Sequence, residues 1–275
     1  MSTALFTRTS AEQGSRRAPL RQGRHAVPVV ENRMLAPDVY RLTFRDARIA
    51  RSSSPAQFVN LYSKDPMSLL PRPFGVCEVH GDEVSLLFAV VGKGTREFSL
   101  LRAGDAIDVL GPLGNPFDLS DSAHYVLVGG GLGVPPLIYA AERLYGREDA
   151  VTTSAFGYRD VRFARDAVSP YVHHTYDITD ARGNVVDLLD SIEPHLDPDR
   201  NRGLPVRILS CGPMPMMRAV AAWASPRGLA CQFSLEARMA CGYGTCVVCV
   251  VDTASGRKKV CSEGPVFTAQ QLGWE

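Results

Sequence analysis

The sequence predicts a multidomain protein: an antiparallel β-barrel, then an α/β domain with a parallel sheet, then a small C-terminal cysteine-rich domain. Three observations carry that expectation. Short apolar strands broken by glycine and proline fill residues 26–118, and strands alternate with helices through 119–228. Within 229–275, four cysteines, Cys241, Cys246, Cys249 and Cys261, stand in the order C-x4-C-x2-C-x11-C. Residues 1–25 read as a disordered N-terminal tail.

A chain of 275 residues has room for two or three cores. Its 45% hydrophobic and 21% charged content is ordinary for a soluble globular protein. A net charge of +1 gives no electrostatic basis for binding nucleic acid or an anionic membrane. No apolar run reaches the roughly 18–20 residues of a membrane span. The first 25 residues hold five arginines and one acidic residue, Glu12. That composition is like a transit peptide, but no apolar periodicity accompanies the charges, so a disordered start to a cytoplasmic protein is expected.

In the first segment, Tyr40, Leu42 and Phe44 alternate with Arg41, Thr43 and Arg45, the pattern of a half-buried strand. Phe58–Tyr62, Gly75–His80, Val84–Val91 and Asp105–Leu110 continue it, with a turn at Gly81-Asp82. Such even spacing indicates an antiparallel barrel or sandwich. The second segment predicts strands at His124–Val128, Val151–Gly157 and Val206–Ser210 and helices at Leu137–Tyr145 and Met214–Ala224. This alternation implies a parallel sheet with helices on both faces.

The cysteine spacing is that of a plant-type [2Fe–2S] ligand set, three thiolates from one tight loop and the fourth from further on. Gly242 and Gly244 suit a backbone wrapped closely around inorganic sulfide. Structural zinc usually takes two separated C-x2-C knuckles. A disulfide framework fits poorly with seven cysteines and no secretory signal. Cys77 and Cys231, in apolar runs, are expected as buried small hydrophobes. A cluster passes electrons singly, so the chain is expected to be part of an electron relay.

The run Gly129-Gly130-Gly131-Leu132-Gly133-Val134-Pro135-Pro136 follows a predicted strand and opens a helix, a candidate pyrophosphate or nicotinamide platform. It is not the G-x-G-x-x-G fingerprint, because Val134 stands where the third glycine belongs. Cys211-Gly212-Pro213-Met214 also ends a strand, so the two runs are expected to line one crevice at the carboxyl ends of the sheet. Met217 is expected in the core. In the barrel segment, Arg72-Pro73-Phe74-Gly75 sets a cation beside a ring, and Gly92-Lys93-Gly94-Thr95 offers amides, a hydroxyl and a second cation suited to phosphate.

On these runs, from about residue 25 to the end, the chain resembles the electron-transfer subunits of NAD-dependent dihydroorotate dehydrogenase B, within the ferredoxin–NADP reductase superfamily. The likeness is densest over Cys231–Cys249 (CQFSLEARMACGYGTCVVC) and Val260–Phe267, with further matches at Gly111–Asn115, Gly129–Pro136 and Cys211–Met217. The resemblance implies FAD in the barrel at the R-P-x-S positions Arg72, Pro73, Phe74 and Gly75, at Gly94 and Thr95, and at Leu87, Phe88 and Ala89. It implies NAD at Gly129, Gly130, Gly131 and Gly133 with Cys211, Gly212 and Pro213, and the cluster on the four cysteines. Two positions depart from the family pattern: its serine is Gly75 here, and its Tyr-Arg pair is Phe88-Ala89.

The implied activity is a relay from the FMN of a separate catalytic subunit, which oxidises dihydroorotate, through [2Fe–2S] and FAD to NAD⁺ in pyrimidine (UMP) biosynthesis. The implied assembly is a heterotetramer with two of each subunit, and no acid or base catalyst is required of this chain. An alternative of the same architecture is the small flavin/[2Fe–2S] subunit of an NADPH–ferredoxin oxidoreductase or sulfide dehydrogenase. Arg159 and Asp160, near the end of the second strand of the α/β domain, leave NAD and NADP open.

Overall fold

The computed structural model describes residues 23–197 and 201–275. The expected tail lies outside the described residues as far as residue 22, and His25 already opens a strand. Six strands form a closed antiparallel barrel: β1 (His25–Ala36), β2 (Val39–Arg45), β3 (Phe58–Tyr62), β4 (Arg72–His80), β5 (Glu83–Ala89) and β6 (Ala106–Leu113), in the order β1-β2-β5-β4-β3-β6. Period-2 alternation decides the core. Leu42 and Phe44, Val59 and Leu61, and Val84, Leu86 and Phe88 all point inward. Two short helices sit on the barrel. In α1 (Ala47–Ser52), Asp46 caps the start by accepting from the Arg48 and Ile49 amides. α2 (Lys93–Ser99) begins inside the Gly92–Thr95 run, with Gly92 as its N-cap.

The α/β domain runs β7 (Ala123–Gly130), α3 (Pro135–Leu144), β8 (Ala150–Tyr158), α4 (Arg165–Val168), β9 (His174–Thr179), α5 (Val185–Ile192), β10 (Val206–Cys211) and α6 (Met214–Ala224). Then come β11 (Ala230–Ser234), β12 (Val250–Thr253), β13 (Gly256–Lys259), α7 (Val260–Glu263), β14 (Val266–Thr268) and α8 (Ala269–Leu272). The main sheet has the order β14-β11-β10-β7-β8-β9, parallel except that β14 pairs antiparallel with β11. The sheet therefore reaches beyond the boundary expected after residue 228. β11, short and largely buried, extends the free edge of β10, and β14 then covers β11. The segment that carries the cysteines is thereby fastened to the sheet at both ends.

Contacts across the barrel fix the remaining geometry. Tyr139 of α3 packs on the barrel core and donates its hydroxyl to the Ser53 carbonyl at 2.9 Å. Asn115, just after β6, donates to the Glu263 and Val266 carbonyls and accepts from the Val266 amide. Cys77 and Cys231 are buried and Met217 is in the core, as their apolar settings predict. Among the described residues no helix is long and apolar enough to cross a membrane.

Candidate redox site

The cysteine loop runs between β11 and β12. Gly242 and Gly244 hold φ of 79° and 91°, conformations that favour glycine. Val247 holds 59°, a β-branched residue in a region that costs such residues about 1–2 kcal/mol. Such a conformation persists where the surroundings over-determine it, as between two fixed cysteines.

Cys249 and Cys261 are buried, Cys241 is partly so, and Cys246 is exposed. Burial alone would raise the Cys241 thiol. Donation to its sulfur by the Cys246, Tyr243 and Thr245 amides and by the Cys246 side chain reverses this and lowers its pKa to about 6. Burial pushes Cys261 up to about 12, and the adjacent Cys249 adds to it, against an amide bond from Gly244 at 3.1 Å. Cys246 lies against Cys241, and the Cys261 amide donates to the Cys249 sulfur at 3.4 Å, with Cys241 close enough to Cys261 to act on its thiol. Among the described residues no group of three or more His, Cys, Asp or Glu is placed to hold a single metal ion. Two thiolates per metal is what a [2Fe–2S] cluster asks for, whereas structural zinc asks for four ligands on one ion. Bound iron would also offset the burial that holds the Cys261 thiol protonated. The donor set fits the cluster.

Between the barrel, the α/β domain and the cysteine loop lies a cleft of about 270 Å³. That is near the lower end of small-molecule sites, roughly 300–1,000 Å³. It suits a planar ring, with the rest of a dinucleotide lying over open surface. Pro73, Phe74, Gly75, Leu87, Phe88, Ala89 and Thr95 border it from the barrel, and Leu132, Pro135, Pro136 and Cys211 from the α/β domain. Leu235, Glu236 and Met239 border it from the approach to Cys241. Arg72 is not a freely solvated side chain. Its guanidinium lies across Gly94, where a Cβ would come within 2.3 Å of Nε, and Nη1 donates to the Leu70 carbonyl.

Three of the expected site elements also have structural partners of their own. The Phe88 ring is 1% exposed and packs among Tyr40, Phe74 and Phe98, because alternation along β5 turns it into the barrel while Leu87 and Ala89 face out. The Thr95 hydroxyl is spent locally: it accepts from the Val91 and Gly92 amides and donates to the Gly92 carbonyl. Thr95 therefore shapes the loop with its hydroxyl while it lines the cleft. The glycine run also lets the protein pack closely against itself. A Cβ on Gly129 would crowd Val134, Leu137 and Phe156. One on Gly130 would meet Met216 Sδ at 2.5 Å and Pro213 Cδ at 3.0 Å, and one on Gly133 the Cys211 carbonyl oxygen at 2.4 Å. Only Gly131, at φ 53°, has open space around it. Prolines at the first two positions of α3 leave that helix start apolar, so it offers a ring a wall and not a row of amides.

The two expected runs do meet. Cys211 pairs in register with Gly129, and a Cβ on Gly212 would lie 3.0 Å from the Gly130 nitrogen. β7 has β8 on one side and β10 on the other, so this is the switch point of the sheet. Burial pushes the Cys211 thiol far up, which keeps it a neutral packing group and not a nucleophile. Arg159 and Asp160 are both exposed beyond β8, while Arg162 and Arg165 pair with Asp177 of β9. Sequence reasoning missed Ser234, Leu235, Glu236 and Met239 as cleft residues, although they lie in the run that carries the family likeness. Glu236 is open to solvent on one side, and burial of its carboxyl on the other raises its pKa.

Comparison with known proteins decides the family. The chain is 33% identical over 252 residues to the dihydroorotate dehydrogenase B (NAD⁺) electron transfer subunit of Clostridium perfringens, covering 89% of this chain and 96% of that one. It belongs to that family. The corresponding subunit of Geobacillus thermodenitrificans is 34% identical over 268 residues, covering 91% and 98% of the two chains. Residues 236–273 match the family model for the iron–sulfur cluster binding domain of dihydroorotate dehydrogenase B. Among solved structures, the NADH-dependent reduced ferredoxin–NADP oxidoreductase, studied for flavin-based electron bifurcation, aligns with TM-score 0.79 and 26% identity, over 92% of this chain and 91% of that one. Ferredoxin–NADP⁺ reductase from Plasmodium falciparum aligns with TM-score 0.58 at 12% identity, covering 74% of this chain and 91% of that one, a likeness of fold.

Proposed function

We propose that this chain is the electron-transfer subunit of an NAD-dependent dihydroorotate dehydrogenase in pyrimidine (UMP) biosynthesis. The observation that carries the reading is the juxtaposition of the cysteine loop with the interdomain cleft, joined by Glu236–Met239, in a chain that aligns with the family almost end to end. When bound, the cluster supplies single-electron transfer, and the flavin pairs electrons into the hydride that NAD⁺ accepts. The chain's residues hold and separate these groups. Cys241, Cys246, Cys249 and Cys261 hold the cluster. Arg72, Pro73, Phe74, Gly75, Gly94 and Thr95, with Leu87 and Ala89, frame FAD. Gly131 and the Gly129–Gly133 and Cys211–Pro213 turns frame the nicotinamide. The apolar wall of Pro135, Pro136, Leu132 and Leu235 excludes water where hydride would move.

The partner is a catalytic subunit carrying FMN, in a cytoplasmic complex with two copies of each chain. Exposed Cys246 lies among exposed Tyr243, Val247 and Val248, an apolar surface directly over the cysteine loop. Co-purification of the chain with an FMN-containing dehydrogenase subunit, loss of that association in Val247→Asp, and flavin plus [2Fe–2S] absorption in the purified chain are expected. A colourless, zinc-containing chain would reject the proposal. The structural likeness to the ferredoxin–NADP oxidoreductase supports a second reading, a subunit of such an enzyme. The higher identity to the dihydroorotate dehydrogenase subunits favours the first.

A further inference from the structure

β3 presents its two faces to two different parts of the molecule. Val59 and Leu61 point into the barrel, and the intervening Phe58, Asn60 and Tyr62 point outward toward the C-terminal domain. Phe58 borders the flavin cleft, and Tyr62 borders a groove shared with Tyr243 of the cysteine loop. Asn60 lies between them and is fully buried.

A buried amide in such a setting is costly unless it makes a specific contact. Asn60 makes one on one side only. Its Nδ2 donates to the Cys241 carbonyl at 2.9 Å, while its Oδ1 has no hydrogen-bond partner. Turning the amide over would set two oxygens against each other, so the Cys241 carbonyl dictates its orientation. The contact also shapes the loop, because a Cβ on Gly242 would lie 2.3 Å from Asn60 Nδ2. On the barrel side, the register sets Asn60 opposite Pro73 of β4, inside the run assigned to the flavin. One side chain thus ties the first cysteine of the loop to the strand pair that frames the cleft.

The loop anchored in this way aims its amides at sulfur: Tyr243, Thr245 and Cys246 toward Cys241, and Gly244 toward Cys261. Hydrogen bonds to the sulfurs set the potential of an iron–sulfur cluster, and groups outside the ligands themselves position them. We propose that Asn60 is a positioning residue for electron passage, fixing the cluster loop against the flavin-bearing barrel wall and holding its potential up. The inference rests on the relay reading above. Asn60 exchanges no electron or proton: with both groups bound, NADH would supply a hydride to the flavin, and single electrons would reach the cluster and an added one-electron acceptor.

The test uses the full chain loaded with flavin and cluster, with Asn60→Leu and the isosteric Asn60→Asp. An EPR-monitored redox titration and stopped-flow reduction of the cluster by NADH are the readouts. Both variants are expected to keep NADH–ferricyanide activity through the flavin. The cluster's reduction equilibrium is expected to fall about tenfold, a downward shift of about 59 mV for one electron. NADH-driven reduction of the cluster is expected to slow about tenfold, on the scale of one lost hydrogen bond. If Asn60→Leu fails to assemble its cluster, Asn60→Asp decides. Unchanged potential and rate overturn the proposal and leave Asn60 a packing residue. Failure of NADH to reduce the cluster of the unaltered chain rejects the relay reading itself, separately from Asn60.

Discussion

Gly75→Ser restores the hydroxyl that the family pattern carries at the flavin cleft, and the structure shows room for it. Gly75 lies within β4 opposite Phe58, and its φ is not in the left-handed region, so the backbone accepts any side chain there. A Cβ at this position would meet only Pro136 Cδ, at 3.6 Å, an ordinary contact. The hydroxyl therefore reaches the cleft without displacing the backbone. A net hydrogen bond contributes about 0.5–1.5 kcal/mol, which tightens binding about two- to tenfold at about 1.4 kcal/mol per decade. Glycine within a strand also costs about 0.5–1 kcal/mol relative to alanine, so a rise in thermal stability is expected alongside. The assay is recovery of flavin fluorescence on dilution of the holoprotein, with Gly75→Ala separating the backbone effect from the hydroxyl. Serine binding FAD no tighter than alanine, or less tightly than the native glycine, refutes the reasoning.

Cys246→Ser removes one of four cluster thiolates, so dihydroorotate-dependent NAD⁺ reduction with the catalytic partner is expected to vanish while NADH–ferricyanide activity through the flavin persists; joint loss of both would make the cluster a folding element instead. Gly133→Ala forces a Cβ within 2.4 Å of the Cys211 carbonyl oxygen, and should lower stability by about 1–3 kcal/mol and raise KM for NADH, with wild-type thermal melting and KM counting against the packing role. Glu142 of α3 has its carboxyl raised chiefly by burial, and its oxygen accepts from the Val79 amide of β4. A folded pKa above the unfolded value means that ionisation costs stability as pH rises past about 4. Glu142→Gln should therefore raise Tm at pH 7 and give no gain below about pH 4, and an equal gain at both pH values would exclude the titration as the cause.

The barrel was legible because each strand alternates and each turn is marked: Phe58–Tyr62 has the expected limits, and Leu42 and Phe44 face the core. α6 likewise spans the expected residues. α2 was obscured by Gly92 and Gly94, which read as loop residues, yet Gly94 is a helix position kept small by the Arg72 side chain above it. β9 carries a run of partly buried residues with no clear period, so its place at the sheet edge comes from tertiary pairing with β8. At the site, residue types announced the cysteines, the glycine run and Arg72. Spacing could not say which way Phe88 points, that the Thr95 hydroxyl is already taken, or that Gly130 and Gly133 are small because Met216 and Cys211 press on them. Asn60 and Cys241 are distant in sequence, and only the fold brings them together.

The relay is tested most directly by reconstituting the chain with its FMN-bearing partner and following NADH formation on addition of dihydroorotate. Stoichiometric NADH, dependent on both subunits and lost in Cys246→Ser, is the predicted result. Reduction of NADP⁺ by reduced ferredoxin, with none of NAD⁺ by dihydroorotate, would contradict it.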